Sequence, residues 1–450
     1  MTNREKELTD PKRRKALQLT AGLFGASMLP GIALASAAGK AQFPRGFLWG
    51  AAVAAHQVEG DNTNSDAWVL ENVKPTLFAE RSLSAIDHYR LFDSDIALAS
   101  RLGLNTFRFS IEWARIEPEE GVFSRSALNH YRDVLQSCRR RNMKAMVSFN
   151  HFTAPAWFAG KGGFESEDAP ELFARYCDYV SKELGHLMAF ATTFNEPNFG
   201  HVLFAIPSPH QGMAKTPVEQ EMLKAAARRV GTDRFSAWAF GNYETMQASM
   251  VKAHKQAYAA IKKNQPALPV GLSLSMLDEQ AVDGGEAMRD RKLKLAYEPW
   301  FDAVNAAGDF FGVQNYGRSE IGPEGERAPT PNARMTSMHT EFYPQGLEAT
   351  LRYAATKVKV PLYVTENGIA TDNDEDRVEY LRLALRGVAN CIADQVNVRG
   401  YVHWSLMDNF EWIFGYKPRF GLIAVDPVTM ARRVKPSAYV LGKIAQQNRL

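Results

Sequence analysis

Two glutamates in this chain stand in settings suited to acid–base and covalent chemistry. Glu196 sits in the run Thr193-Phe194-Asn195-Glu196-Pro197, and Glu366 sits in Val364-Thr365-Glu366-Asn367-Gly368, 170 residues further on. Each follows an apolar stretch of strand length. A carboxyl group at the mouth of a buried strand is partly desolvated, so one of a pair can stay protonated while its neighbour stays ionised. That division into acid and nucleophile is what cleavage of a glycosidic bond requires. Pro197 disfavours helical backbone in the residue before it, so extended geometry is expected at Glu196. After Glu366, Gly368 is expected to turn the chain through a conformation closed to other residues.

Positioning such a pair takes a scaffold, and the chain supplies a repetitive one. Short apolar runs at 47–54, 106–113, 144–151, 190–196, 270–276, 310–316, 361–366 and 399–406 alternate with helical patterns. Tyr89, Phe92, Ile96, Ala99 and Leu102 recur at helical spacing, as do Val378, Leu381, Leu385, Val388 and Ile392. Near-continuous apolar strands alternating with helices imply a parallel sheet covered by helices. Eight such repeats predict an α/β fold, a single (β/α)8 barrel. With 450 residues, 45% of them hydrophobic, one large core is within reach, and no linker-like tract interrupts it after Phe43.

Polar residues fall at or just past the C-terminal ends of these runs: Gln57, Arg108, His151, Glu196, Tyr316, Glu366 and Trp404. In a parallel barrel those ends share one face, where catalytic groups collect. A lone His or Gln there is more often a satisfied core residue, but seven on one face point to a site. Arg108 and Tyr316 are candidates to hold Glu366 ionised and oriented. The three cysteines, Cys138, Cys177 and Cys391, lie in predicted helices without disulfide or metal spacing and read as buried free thiols. Neither a metal nor a cofactor is implied, since no ligand cluster and no Gly-rich nucleotide turn is present.

The first residues follow other rules. Lys12-Arg13-Arg14-Lys15 precedes an uncharged stretch from Ala16 to Gly39, and Ala33-Leu34-Ala35 and Ala35-Ser36-Ala37 fit small-residue cleavage sites. Residues 1–37 read as a twin-arginine-type signal peptide, cleaved near 35–38. Residues 38–450 are then one catalytic domain. The expected partners are the twin-arginine export machinery and a small-molecule substrate, and the expected location is periplasmic or secreted. Gln18, Thr20, Ser27 and Pro30 make the alternative, a membrane anchor, a weak spanning helix. Without residues 1–37, the +3 net charge becomes 0, with 47 charges of each sign, so nothing in composition favours nucleic acid.

The chain resembles family 1 of the retaining β-glycosidases from about Phe43 to Ser437. The resemblance is carried by Phe47-Leu48-Trp49-Gly50-Ala51-Ala52 through Gln57-Val58-Glu59-Gly60, by Asp87-His88-Tyr89, and by 105–113. It continues through both glutamate runs and through 400–412 to Arg419-Phe420-Gly421-Leu422. It implies Glu196 as acid/base and Glu366 as nucleophile. It implies Gln57, His151, Asn195, Glu411 and Trp412 as contacts to glycone hydroxyls, with Trp404 under the sugar ring and Tyr316 beside it. Glu411-Trp412 is the pattern of members acting on unphosphorylated sugars. His56, Phe152 and Gln314 depart from the commoner Tyr, Trp and Asn. The implied reaction is hydrolysis of terminal β-D-glycosides, β-glucosides foremost. Transglycosylation at the same site and a non-catalytic carbohydrate-binding barrel are the alternatives.

Overall fold

A computed structural model describes residues 42–209 and 216–450; the expected signal segment lies outside them. Eight parallel strands close into a barrel: β1 Leu48–Ala52, β2 Thr106–Ser110, β3 Lys144–Asn150, β4 Phe190–Asn195, β5 Val270–Ser275, β6 Phe310–Asn315, β7 Leu362–Asn367 and β8 Val398–Trp404. Neighbours in sequence are neighbours in the ring, and β1 closes it against β8 with Ala52 opposite Trp404. All eight expected strands form, several of them shorter than the apolar runs that foretold them. The hydrogen-bonded ladder stops where the chain swings out toward the site, while burial continues into the loops.

Burial on both sides explains the composition of the strands. Val270–Ser275 is buried throughout, and so is Phe310–Asn315. The surrounding helices each offer one apolar stripe. In Arg125–Arg140 that stripe is Ala127, Leu128, Tyr131, Val134, Leu135 and Cys138, and the helix starts where the Ser124 hydroxyl accepts the Ala127 N–H. The two periodic stretches anticipated from sequence lie in His88–Arg101 and Asp374–Ala393. All three cysteines are free and buried.

Outside the barrel, the segments after β5 and β6 pair as a three-stranded sheet of Asp278–Ala281, Arg318–Gly322 and Gly325–Glu326. An ion cluster sits behind it. Lys292 is fully buried, with Nζ 3.0 Å from Glu279 and 3.1 Å from Glu326, and Tyr297 donates its hydroxyl to Glu279 at 2.7 Å. No described helix is long and apolar enough to cross a membrane.

Candidate active site

Both glutamates lie at local breaks in the ladder. The pairing of β7 with β6 shifts register between Val364 and Glu366, and that of β4 with β5 shifts between Thr192 and Asn195. Such irregularities re-aim side chains near active sites. Glu196 does not take the extended backbone expected before proline: its φ is 46°, in the left-handed region. Its N–H still bonds the Ser273 carbonyl of β5 (2.8 Å), while its own carbonyl accepts from Phe199 (3.1 Å). The chain therefore turns at Glu196 itself, a strained geometry of the kind held in place at functional sites. Gly368 also has another reason than the expected one. It has no left-handed φ, but a Cβ there would lie 2.0 Å from the Trp404 carbonyl oxygen, so only glycine lets β7 leave past β8.

The nucleophile candidate is held from two sides. Arg108 Nη1 donates to Glu366 Oε1 at 2.5 Å, and the Tyr316 hydroxyl donates to Oε2 at 2.7 Å. The other arm of Arg108 reaches Asn195 Oδ1 at 2.6 Å, and Gln314 Nε2 reaches the same oxygen at 2.7 Å. With its oxygen doubly engaged, Asn195 turns its amide nitrogen to His151 Nε2 (3.2 Å). His151 Nε2 is therefore the acceptor and Nδ1 carries the hydrogen. Burial, then the Arg108 charge, hold the imidazole well below its ordinary pKa, so it is neutral. Gln314, which stands where Asn is commoner, thus locks Asn195.

On the opposite wall, Gln57 lies in the short helix Ala55–Val58 and gives its amide nitrogen to Phe410 O (2.7 Å), Asn409 Oδ1 (3.1 Å) and Glu411 Oε2 (3.2 Å). Trp404, at the end of β8, stacks on His151 with ring centroids 5.4 Å apart. Trp412 faces the same imidazole at 6.5 Å. Of the aromatic residues near the chain's end, Phe410 is fully buried packing and Phe414 is exposed, while Phe420 packs edge-on against Tyr316 at 5.9 Å. Every site residue expected from sequence is brought to this one face. Trp238 is an addition: it stacks on Phe152 at 3.8 Å and lies 5.4 Å from Trp412. Its loop carries no strand-end or motif signal.

Several buried polar atoms here have no partner among the described residues: Gln57 Oε1, His151 Nδ1, Glu196 Oε1 and Gln314 Oε1. A buried donor or acceptor left unpaired is costly unless a ligand completes it. Acceptors on Gln57 and a donor on His151, beside indole faces, suit a ring with polar hydroxyls and an apolar C–H face.

The electrostatics separate the glutamates. Burial first, and then the charge of Glu366, push the Glu196 carboxyl well above its ordinary 4.5. Burial lifts Glu366 as well, while Arg108 and then Tyr316 pull the other way, toward the ionised form. The two titrate as a pair, with the proton favoured on Glu196. Glu411 is pushed up to about 8, by burial and then by the Glu366 charge.

The model of the glycosyl hydrolase family 1 matches residues 39–315 and 314–450. The chain belongs to glycosyl hydrolase family 1. Among solved structures it is similar to the β-glycosidase BGL167, at 46% identity and a TM-score of 0.85, covering 90% of this chain and 97% of that one. It is also similar to the apo β-glucosidase 1317, at 43% identity and a TM-score of 0.86, covering 89% and 98%. β-Glucosidase A of Acetivibrio thermocellus is 27% identical over 451 residues, or 91% of this chain and 99% of the relative. As a family 1 member the protein is a glycoside hydrolase, and retention of anomeric configuration is characteristic of that family.

Proposed function

We propose that this family 1 glycosidase hydrolyses terminal, unphosphorylated β-D-glycosides, β-glucosides foremost, by double displacement through Glu366 and Glu196. The observation that carries the reading is the two-sided grip of Arg108 and Tyr316 on Glu366, on the same barrel face as the buried carboxyl of Glu196.

A Glu366 oxygen attacks the anomeric carbon as the bond to the aglycone oxygen breaks, and the Glu196 proton passes to that oxygen. Water then attacks the same carbon, Glu196 takes its proton, and the ester to Glu366 breaks. Retention by this route asks for carboxyl groups about 5–5.5 Å apart. Esterification removes the Glu366 charge that helps keep Glu196 protonated, so the acid of the first step becomes the base of the second. Gln57, His151, Asn195, Glu411 and Trp412 are the proposed hydroxyl contacts, with Trp404 beneath the ring. Glu411-Trp412 offers no cationic group to receive a sugar phosphate, which favours unphosphorylated glycones. Relatives named β-glucosidase and β-glycosidase support the same substrate class.

The test is Glu366→Ala against a panel of aryl β-glycosides. Loss of turnover with an unchanged thermal midpoint is expected, and hydrolysis near the parent rate would overturn the assignment. Export through the twin-arginine machinery is a second proposal, resting on Arg13-Arg14 and the uncharged stretch after it. Activity is expected in the periplasmic or secreted fraction, and in the cytoplasm once both arginines become lysine. A parent activity confined to the cytoplasm would end that proposal.

A further inference from the structure

Rings with nearly parallel planes line up behind the glycone pocket. His56 stacks on Trp412 (5.6 Å, 8°), Trp412 faces His151 (6.5 Å, 14°), and His151 stacks on Trp404 (5.4 Å, 19°). Three of these are pocket residues; His56 closes the column from the far side. It also meets Phe410 edge-on at 6.0 Å and 67°. One buried imidazole thus touches both residues that flank Glu411, while the adjacent Gln57 bonds Asn409, Phe410 and Glu411 itself.

His56 is itself fixed from behind. Asn62 Nδ2 donates to Nδ1 at 3.1 Å, and the Ser65 hydroxyl lies 3.4 Å from the same nitrogen. That makes Nδ1 an acceptor and leaves the hydrogen on Nε2, which faces Glu71 Oε2 at 3.9 Å. Glu71 is anchored in turn by the Ser82 N–H (2.9 Å) and hydroxyl (2.6 Å). Trp412 needs such support because its φ is 50°, a left-handed backbone that a bulky residue keeps only where its surroundings over-determine it.

We infer that His56 is a positioning residue for glycone recognition: it fixes the plane of Trp412 and the segment 410–412, acting through Trp412 and Glu411 without touching the sugar. The meaning of the pocket rests on the glycosidase reading, but the contacts do not. Contacts to the non-reacting side of the sugar are made alike in ground and transition states, so their loss falls on KM more than on kcat.

The experiment compares His56→Ala, His56→Phe and His56→Leu, each alone and in a Trp412→Phe background. For an aryl β-glucoside, His56→Ala is expected to raise KM about tenfold or more with kcat within about threefold. His56→Phe, which keeps a ring, recovers most of the loss. His56→Leu, which keeps the volume, folds like the parent but shares the KM defect. In the Trp412→Phe background the further loss is under about twofold, because coupled residues are not additive. An unchanged KM in both ring-less variants, or a loss that multiplies fully with that of Trp412→Phe, overturns the proposal. Near-ultraviolet circular dichroism reads it without substrate: the difference between parent and His56→Leu should vanish when Trp412 is Phe, and persistence of that difference also counts against it. A parent that turns over no β-glycoside would defeat the functional reading while leaving this spectroscopic test intact.

Discussion

The Tyr316 hydroxyl lies 2.7 Å from Glu366 Oε2, on the carboxylate oxygen opposite the one that Arg108 holds. Tyr316 follows β6 and Arg108 lies on β2, so the carboxylate of β7 is oriented from two other parts of the ring. Both donors favour its ionised form. Tyr316→Phe removes one of them. A hydrogen bond to a charged group contributes about 1.5–3 kcal/mol, so kcat should fall about 10- to 100-fold. Losing the bond raises the Glu366 pKa, so the acid limb of the pH–rate profile should move to higher pH. A limb that stays put or moves down would count against Tyr316.

Glu196→Gln removes a proton donor that burial and the Glu366 charge hold in place. A general acid contributes about 10²–10⁴-fold to rate. The loss should be greatest for aglycones that leave poorly as oxyanions, and small in the first step for those that leave well. The alkaline limb of kcat/KM should flatten, since that limb reports loss of the Glu196 proton. Equal losses across leaving groups, measured by pre-steady-state kinetics, would remove Glu196 from the acid role.

Glu411 titrates at about 8 when folded, against an ordinary 4.5. A carboxyl raised on folding takes up a proton, so the stability linked to it is fully present below its unfolded value and is lost as pH rises through about 8. Glu411→Gln is neutral throughout and lacks that slope. Its thermal midpoint should match the parent near about pH 4.5 and exceed it increasingly toward about pH 8.5. Parallel curves for the two proteins would show that Glu411 is not the group responsible.

Lys292→Met leaves the enclosed carboxylate of Glu279 and the half-buried one of Glu326 without their cation. Breaking a buried ion pair by removing one partner costs about 3–5 kcal/mol. Chemical denaturation should show a loss of that order. Replacing Lys292, Glu279 and Glu326 together by apolar residues should recover much of it, because no charge is then stranded. A single variant as stable as the parent would mean that water already reaches the cluster.

The barrel was legible because strands buried on both sides must be almost wholly apolar, and each such run announces itself. The site was legible because Glu196, Glu366 and His151 break that apolar pattern at the ends of their runs, and Arg108 breaks it in the middle of β2. What stayed hidden depends on distant partners. Nothing within reach of Gln314 in sequence says that its amide will meet Asn195, 119 residues away. His56 reads as a local exchange for tyrosine until Phe410 and Trp412 are seen against it. The backbone of Glu196 escaped because the proline rule is local, whereas the bond from its N–H to Ser273 is tertiary. The Lys292 cluster joins two loops whose pairing no periodicity reports.

Between β1 and β8 the ring is sealed, and Gln57 faces residues 409–411 across that seam. That part of the pocket wall is therefore built jointly by the opening stretch of the barrel and its final one. A nascent chain carries Glu196 long before it can present a counterwall to Gln57, and seven strands without the eighth would bring the acid but no complete cradle. Sugar affinity thereby becomes a gauge of circular closure, and a version of the enzyme cut open at that junction should lose glycone recognition before it loses the remainder of its secondary structure.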